Sequence, residues 1–454
     1  MNRFPLLSKT AVIGLLMVLL LIPLAMVSDL VRERTEHREH ARSEVARAHA
    51  GTQTLTGPVL HVPYTETFTR KVVVDVARNI EREETVKEHR VATVFPQTMD
   101  TRSRLTTEVR WRGVFPVTVY NSRHDSAGRF VWKDVAPREK GGKIALGQPW
   151  LNFGVSDLRG LQGQPELKLA GQALTVTAAP ADADLPLPLA AALGAELLQP
   201  GATLDFTLGM DLAGTGQIGF VPLADDNRLS LVSAWPHPTF GGDFLPRQRT
   251  VNADGFEAHW SVPALSTQAQ QQFLSQGKER VALDSFSVSL GNPVDVYRLT
   301  ERATKYGLMF IVLTFAAFFV LEMVKRWRIH PMQYLMIGAA LVLFFLLLLS
   351  LSEQLGFFTA YLAASAGCIA LLTRYLRHVL GGWRPALGIS GLLVALYGVL
   401  YGILQSEDNA LVMGSLLLFG VLAAVMVATR KIDWYNVMGS GPARTGPELE
   451  SAPT

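Results

Sequence analysis

The chain has 454 residues, 49% hydrophobic and 18% charged, with a formal net charge of +3 at pH 7. That apolar share is high for a water-soluble protein. The small net charge, with no basic patch interleaved with aromatics, gives no basis for a nucleic-acid partner. Its one cysteine, Cys368, rules out a disulfide within the chain.

The first apolar run, Thr10–Ser28, holds 19 uncharged residues between Lys9 and Asp29. About 20 such residues cross the hydrocarbon core as a helix, because lipid offers the backbone no hydrogen-bond partner. Arg3 and Lys9 ahead of it would also suit a secretory signal, but Pro23–Asp29 lacks a clean small-x-small cleavage site. Residues 1–28 therefore read as an uncleaved signal anchor. Residues 29–56 alternate acids and arginines with little apolar face and predict a polar helical stalk continuing from it, laced by pairs such as Glu33–His37. Glu33, His37, His40 and Glu44 form one stripe of that helix. The stripe has ligand types for a divalent metal, yet reads more simply as a solvated charged face, and no metal or other cofactor is expected.

From Gly57-Pro58 the apolar period changes to two. Val72–Val76, Val91–Phe95, Leu105–Trp111, Val114–Tyr120 and Phe130–Val135 are β-branched and aromatic runs, with Asp125-Ser126-Ala127-Gly128 fitting a hairpin turn. A second strand-rich stretch runs from Leu204 to Leu290. Between them, residues 178–203 are rich in Ala, Pro and Leu and predict an internal boundary or excursion, with a short helix at Pro188–Leu198. Residues 57–300 thus read as a large, mainly antiparallel, sandwich-like β domain. It is long enough to bury a core without disulfides. Gly214-Thr215-Gly216-Gln217-Ile218-Gly219 has dinucleotide-fingerprint spacing, but Phe220-Val221-Pro222 follows it where a helix is needed, so it reads as a Gly-rich β-turn. No nucleophile motif is present. His61, His124, His237 and His259 are the histidines that folding could bring beside a serine or an acid.

Five more apolar runs follow Lys305: Tyr306–Leu321 (extended by Met323 and Val324), Pro331–Ser352, Gln354–Thr373, Pro385–Ser406 and Asn409–Thr429. They predict a five-helix membrane bundle over 306–429, making six helices with the anchor. Lys325, Arg326, Arg328, then Arg374, Arg377, Arg384, then Arg430 and Lys431 occupy one set of connections; the alternate loops carry only Glu353, Glu407 and Asp408. The positive-inside rule puts both termini in the cytoplasm and residues 29–305 outside. Residues 430–454 form a cytoplasmic tail. Arg302 and Lys305 enter the same outer layer as Glu353, Glu407 and Asp408, and these charges are expected to pair and dock the bundle on the outer domain. Gly398 and Gly402 form a small-x-x-x-small pair for helix packing. Glu322, beside Lys325 and Arg326, reads as an interfacial ion pair rather than a transport site.

Several strings carry a resemblance: Gly57-Pro58-Val59-Leu60 leading to Val62-Pro63-Tyr64; Arg112-Gly113-Val114-Phe115; Phe153-Gly154-Val155-Ser156-Asp157-Leu158-Arg159-Gly160; Ser233-Ala234-Trp235-Pro236-His237-Pro238; Gly242-Asp243-Phe244-Leu245-Pro246; Pro293 to Gly307; Ile329 to Tyr334; Ser350 to Glu353; Gln405 to Asp408; and Asp433-Trp434-Tyr435. Together these resemble the CreD family of bacterial inner-membrane, or cell-envelope integrity, proteins over residues 30–436. Position 61 departs from it, being His where the family more often has an aliphatic residue. The resemblance implies one span, a large periplasmic domain and a bundle, in a protein linked to envelope stress, colicin sensitivity and β-lactam responses under a two-component regulator. It brings no catalytic residue or cofactor.

Three functions compete at this level. The first is a non-enzymatic envelope protein whose periplasmic domain binds a partner protein or envelope component, the lipid bilayer being its other partner. The second is a transporter or lipid-handling protein, which needs a polar path through the bundle. The third is a membrane-anchored wall or lipid hydrolase, which needs a nucleophile with a base in reach. Oligomeric state is not legible.

Overall fold

Alternation of apolar and polar residues builds long strands here, and uninterrupted apolar runs build helices. The computed structural model describes residues 5–75, 80–179, 187–275, 282–291, 295–325, 327, 329–406 and 409–430. The chain divides into two units, Glu39–Pro293 and the combination of Met1–Arg38 with Val294–Thr454. The first helix, α1 (Pro5–His49), contributes to both.

The strands of the β unit are β1 (Gln53–Asp75), β2 (Ile80–Val94), β3 (Thr98–Arg112), β4 (Phe115–Val131), β5 (Lys143–Leu146), β6 (Trp150–Val155), β7 (Leu161–Leu169), β8 (Gln172–Leu174), β9 (Thr177–Ala178), β10 (Leu189–Ala192), β11 (Thr203–Thr215), β12 (Gln217–Phe220), β13 (Asp226–Ser233), β14 (Thr239–Gly242), β15 (Gln248–Asn252) and β16 (Gly255–Pro263), followed by helix α2 (Ala269–Ser275) and β17 (Phe286–Ser289). Among the described residues they form two sheets. One runs β14-β17-β12-β1-β6-β10-β9, with β2 and β5 also on β1; the other runs β15-β16-β13-β3-β4-β11-β7-β8. Pairing is antiparallel except for β1 with β12 and β13 with β3. Both sheets feed the same cores: Leu60, Leu151 and Phe153 from the first meet Phe130, Phe206 and Leu212 from the second. Ile218 and Phe286 meet Leu229, Leu231 and Trp260 likewise. This is the expected sandwich.

Four expectations need correction. Asp125–Gly128 is no turn but the middle of the single strand β4, paired on both sides with β3 and β11. Its small residues serve packing: a Cβ on Gly128 would stand 2.6 Å from the Phe206 ring. Residues 188–198 hold β10 and a 3₁₀ turn, Ala195–Leu197, instead of an α-helix. Sheet pairing overrides Ala/Leu propensity there, and Asn152 Nδ2 donates to Leu187 O at 2.9 Å and Leu189 O at 2.8 Å. Because β9 and β10 belong to the first sheet, the described part of 178–203 lies inside the unit. The stalk stops short of residue 56: α1 ends at His49, and β1 already runs through Gly57-Pro58. Within Gly214–Gly219 only Gly216, at φ +73°, lies between the strands; Gly214 and Thr215 end β11 and Gln217–Gly219 belong to β12.

The membrane unit holds α3 (Val296–Lys305), α4 (Gly307–Lys325), α5 (Pro331–Ser352), α6 (Phe357–Val379), α7 (Trp383–Gln405) and α8 (Ala410–Thr429), with α1. Among the described residues six helices, α1 and α4–α8, are long and apolar enough to cross a membrane. The β-domain limit at residue 300 is the fourth correction, since α3 groups with the bundle. Its Asp295 N-cap accepts from Tyr297 N and Arg298 N, which starts a helix five residues before that limit. Leu20 and Leu24 of α1, Phe310 and Phe315 of α4, Phe344 of α5, Tyr361 of α6 and Tyr397 of α7 share one buried core. None of Val412–Thr429 in α8 is buried.

Candidate functional site

The second sheet turns one face to the sandwich core and the other to solvent. Period-two alternation sends Thr101, Ser103 and Leu105 of β3 inward and Asp100, Arg102 and Arg104 outward. Residues directly opposite on neighbouring strands share a face, so register alone aligns the outward side chains in rows. Asp100 stands opposite Ala127 of β4, Ala127 opposite Thr207 of β11, and Thr207 opposite Lys168 of β7. The next row is Arg102, Asp125, Gly209 and Glu166. Ala127, Thr207 and Gly209 thus lie low on the inner strands β4 and β11, between charged residues on β3 and β7, and a cleft of about 380 Å³ lies over them.

Arg123 forms part of the floor. A Cβ on Gly209 would lie 2.6 Å from its Nη2, so a larger residue there would make the guanidinium shift. Arg123 Nε donates to Asp125 Oδ1 at 2.9 Å, Nη1 donates to Asp211 Oδ2 at 3.0 Å, and Nη2 lies 3.7 Å from Glu166. Partial burial works against its charge, but the bonds to Asp211 and Asp125 outweigh this and hold its pKa above the ordinary guanidinium value. Among the described residues, Asp100, Arg102 and Lys168 make no ion pair, and all three are exposed. The lining charges balance, Arg102, Arg123 and Lys168 against Asp100, Asp125 and Glu166. Sequence reading missed this cleft. Alternating charge in Asp100-x-Arg102, Arg123-x-Asp125 and Glu166-x-Lys168 was the available signal, but nothing in it says that these strands are neighbours.

The four histidines fall elsewhere. His124 is wholly buried, with Nδ1 2.7 Å from Ser103 Oγ and Nε2 2.7 Å from Ser122 Oγ. Burial, aided by the charge on Arg123, pulls its pKa down to about 3. His61 is buried against the rings of Trp150 and Phe273, and burial pulls it down to about 4. His259 Nε2 lies 3.1 Å from Glu257 at the surface, and the His237 carbonyl accepts from Trp235 Nε1. Among the described residues, none of the four lines the cleft or pairs with an acid in a cavity.

The expected docking residues take their own places in the membrane unit. Arg302 donates to Ile403 O at 3.2 Å and Ser406 O at 2.9 Å, closing the end of α7. Lys305 pairs with Glu301 at 2.9 Å. Glu353, the C-cap of α5, accepts from Tyr297 Oη at 3.2 Å and lies 3.6 Å from Arg34. Glu407 and Asp408 lie outside the described residues, as do Arg326, Arg328 and residues 431–454. Glu322 forms an ion pair with Lys9 and accepts from Tyr334 Oη at 2.9 Å and from Ile329 N at 3.2 Å, while Arg326 lies outside the described residues. Gly402 faces Met413 of α8, 3.4 Å from where its Cβ would be, whereas Gly398 meets nothing within 4 Å. In the stalk stripe, Glu33–His37 and His40–Glu44 are separate contacts of 3.5 and 3.8 Å. Among the described residues no group of three His, Cys, Asp or Glu converges as metal ligands do.

The family model described as inner membrane protein CreD matches residues 5–435. The chain belongs to the CreD family. Inner membrane protein CreD of Escherichia coli (strain K12) is 34% identical over 447 residues, 96% of this chain and 95% of that protein. The resemblance drawn from the sequence therefore holds over nearly its whole length. Among solved structures, an M1 zinc metallopeptidase of Deinococcus radiodurans aligns at 12% identity and a TM-score of 0.20 as a mutant bound to a Tyr-Ser-Ala substrate, and at 9% and 0.20 in a second structure. Each alignment covers 43% of this chain and 42% of that one. Such scores carry no argument about fold or activity.

Two of the strings that mark this CreD-family chain build structural joints. Asp157 accepts from Gly51 N at 2.9 Å and from Arg159 Nη2 at 2.7 Å, while Arg159 Nη1 donates to Arg47 O at 2.9 Å. Ser156 Oγ donates to Thr52 O at 2.7 Å, and Gln53 Nε2 donates to Asp157 O at 2.8 Å. Phe153–Gly160 thereby latches the passage from α1 to β1. Ile329–Tyr334 forms the His330–Gln333 capping box of α5 and reaches Glu322. The cleft residues lie outside all of these strings.

Proposed function

We propose that this CreD-family chain is a non-enzymatic receptor of the bacterial inner membrane, holding its β unit on the outer side and binding an envelope component there. The Lys and Arg bias of the alternate loops supports that orientation. The observation that carries the binding reading is the cleft over Thr207 and Gly209. It has the size of a small-ligand site, and it leaves Asp100, Arg102 and Lys168 without ion-pair partners among the described residues. These exposed charges line the cleft and are open to a ligand.

Photocrosslinking in living cells tests the reading. A photoreactive residue at Thr207 is expected to trap one defined adduct, and the adduct should fade when Lys168→Ala is added. Recovery of abundant bystanders alone, unchanged by Lys168→Ala, would overturn it.

A further inference from the structure

The charge pattern of the cleft points to a ligand class; the inference rests on the binding reading above. In the first row, Asp100 stands at one end and Lys168 at the other, with Ala127 and Thr207 between them. In the second row the polarity is reversed, Arg102 to Glu166, but that row's centre is occupied. The Arg123 guanidinium lies over Gly209 and is held by Asp125 and Asp211, with Glu166 3.7 Å away. The open track is therefore the first row. It presents an acid at the β3 edge, a base at the β7 edge and a low floor between.

Net charge narrows the choice. Three acids and three bases cancel in the lining, so the cleft does not concentrate polyanions or polycations. It complements a molecule carrying one charge of each sign at a fixed separation. Asp100 and Lys168 lie three inter-strand spacings apart, about 14 Å at roughly 4.8 Å each. An extended peptide advances about 3.3–3.6 Å per residue, so about four residues span the track. We propose that the cleft binds a short zwitterionic peptide of about four residues. Its ammonium sits at Asp100, its carboxylate at Lys168, and its small side chains lie over Ala127 and Thr207.

The test uses the full-length chain in nanodiscs and tetra-alanine in four forms: free, N-acetylated, C-amidated and blocked at both ends. Titration calorimetry is expected to show the free peptide binding and each single block weakening it up to about fivefold, the scale of one ion pair at a surface. Asp100→Lys and Lys168→Asp should each abolish binding, and the double exchange should restore it by accepting the peptide in reverse. Arg228→Ala on β13, outside the cleft, should change nothing. Near-ultraviolet circular dichroism verifies that each variant keeps its tertiary fold. Equal binding of free and doubly blocked peptide, or a native-like double exchange that does not rebind, overturns the proposal. If no peptide binds while the Thr207 crosslink still depends on Lys168, the ligand class falls and the binding reading stands. If neither responds, both fall.

Discussion

Arg38 Nη1 lies 2.7 Å from Asp295 Oδ1, the same oxygen that caps α3 by accepting from Tyr297 N at 3.1 Å and Arg298 N at 3.2 Å. One carboxylate thus starts a helix and holds α1 beside it, and the Arg38 guanidinium also stacks 5.6 Å over the Tyr297 ring. Losing an N-cap costs about 1 kcal/mol, within a range of roughly 0.5–2. Asp295→Ala is expected to destabilise the membrane unit by about that much or somewhat more, since the contact with Arg38 is lost as well. Asp295→Asn keeps a capping oxygen and should cost less. Thermal unfolding in detergent ranks the two, and equal losses would show that the cap is not what matters.

Asp157 gives a pH signature in the β unit. The hydrogen bond from the Arg159 side chain is the largest influence. With the bonds from Gly51 N and Arg159 N it outweighs burial, so the carboxyl sits well below the usual carboxylate range. A depressed acid contributes stability in full above its unfolded value of about 3.9 and loses it as pH falls toward the folded value. Asp157→Asn should therefore lower the unfolding midpoint at pH 7, and the gap from wild type should shrink in strong acid. A gap that stays constant with pH would contradict the assignment.

His124 and His61 act at a milder pH. Each is held neutral by burial, at about 3 and about 4. Unfolding raises both toward about 6.5, so the unfolded chain takes up protons that the fold refuses. Stability is complete above about 6.5 and declines as pH falls below it, by at most about 1.4 kcal/mol per pH unit for each histidine. Urea unfolding from pH 7.5 to 4.5 should show this slope, reduced in His61→Leu. A midpoint that is flat in pH would refute it.

Gly398 and Gly402 separate by contact. With nothing within 4 Å of its Cβ position, Gly398→Ala should be stabilising by up to about 1 kcal/mol, the helix-propensity difference. Gly402→Leu would press on Met413 and should loosen α7 against α8. If the pair instead joined two copies of the chain, Gly398→Leu would shift the particle to half its mass in light scattering. The expected result is no change in mass.

The membrane helices were legible because lipid imposes one rule on every residue of a span; Pro331–Ser352 has the predicted bounds to the residue. Strand-forming stretches were legible for the same kind of reason, period two. What failed depended on partners far away in sequence. Asp125–Gly128 has turn composition, yet β3 and β11 flank it on both sides. Pro188–Leu198 has helical composition, yet Leu189–Ala192 is taken into the first sheet between β6 and β9. The cleft is the clearest case. Lys168, Thr207, Ala127 and Asp100 come from four strands, and their alignment is a property of register that no local pattern carries. Two of the resembling strings, by contrast, were conspicuous in sequence and proved to be a latch, Phe153–Gly160, and a cap, Ile329–Tyr334.

The account turns on which side of the membrane holds the β unit. With Cys368→Ala removing the native thiol, single cysteines at the exposed positions Gln199 and His378 can be probed in intact spheroplasts with a membrane-impermeant maleimide. Gln199→Cys is expected to label at once, and His378→Cys only after permeabilisation. Labelling in the opposite order would place the cleft in the cytoplasm and contradict the account.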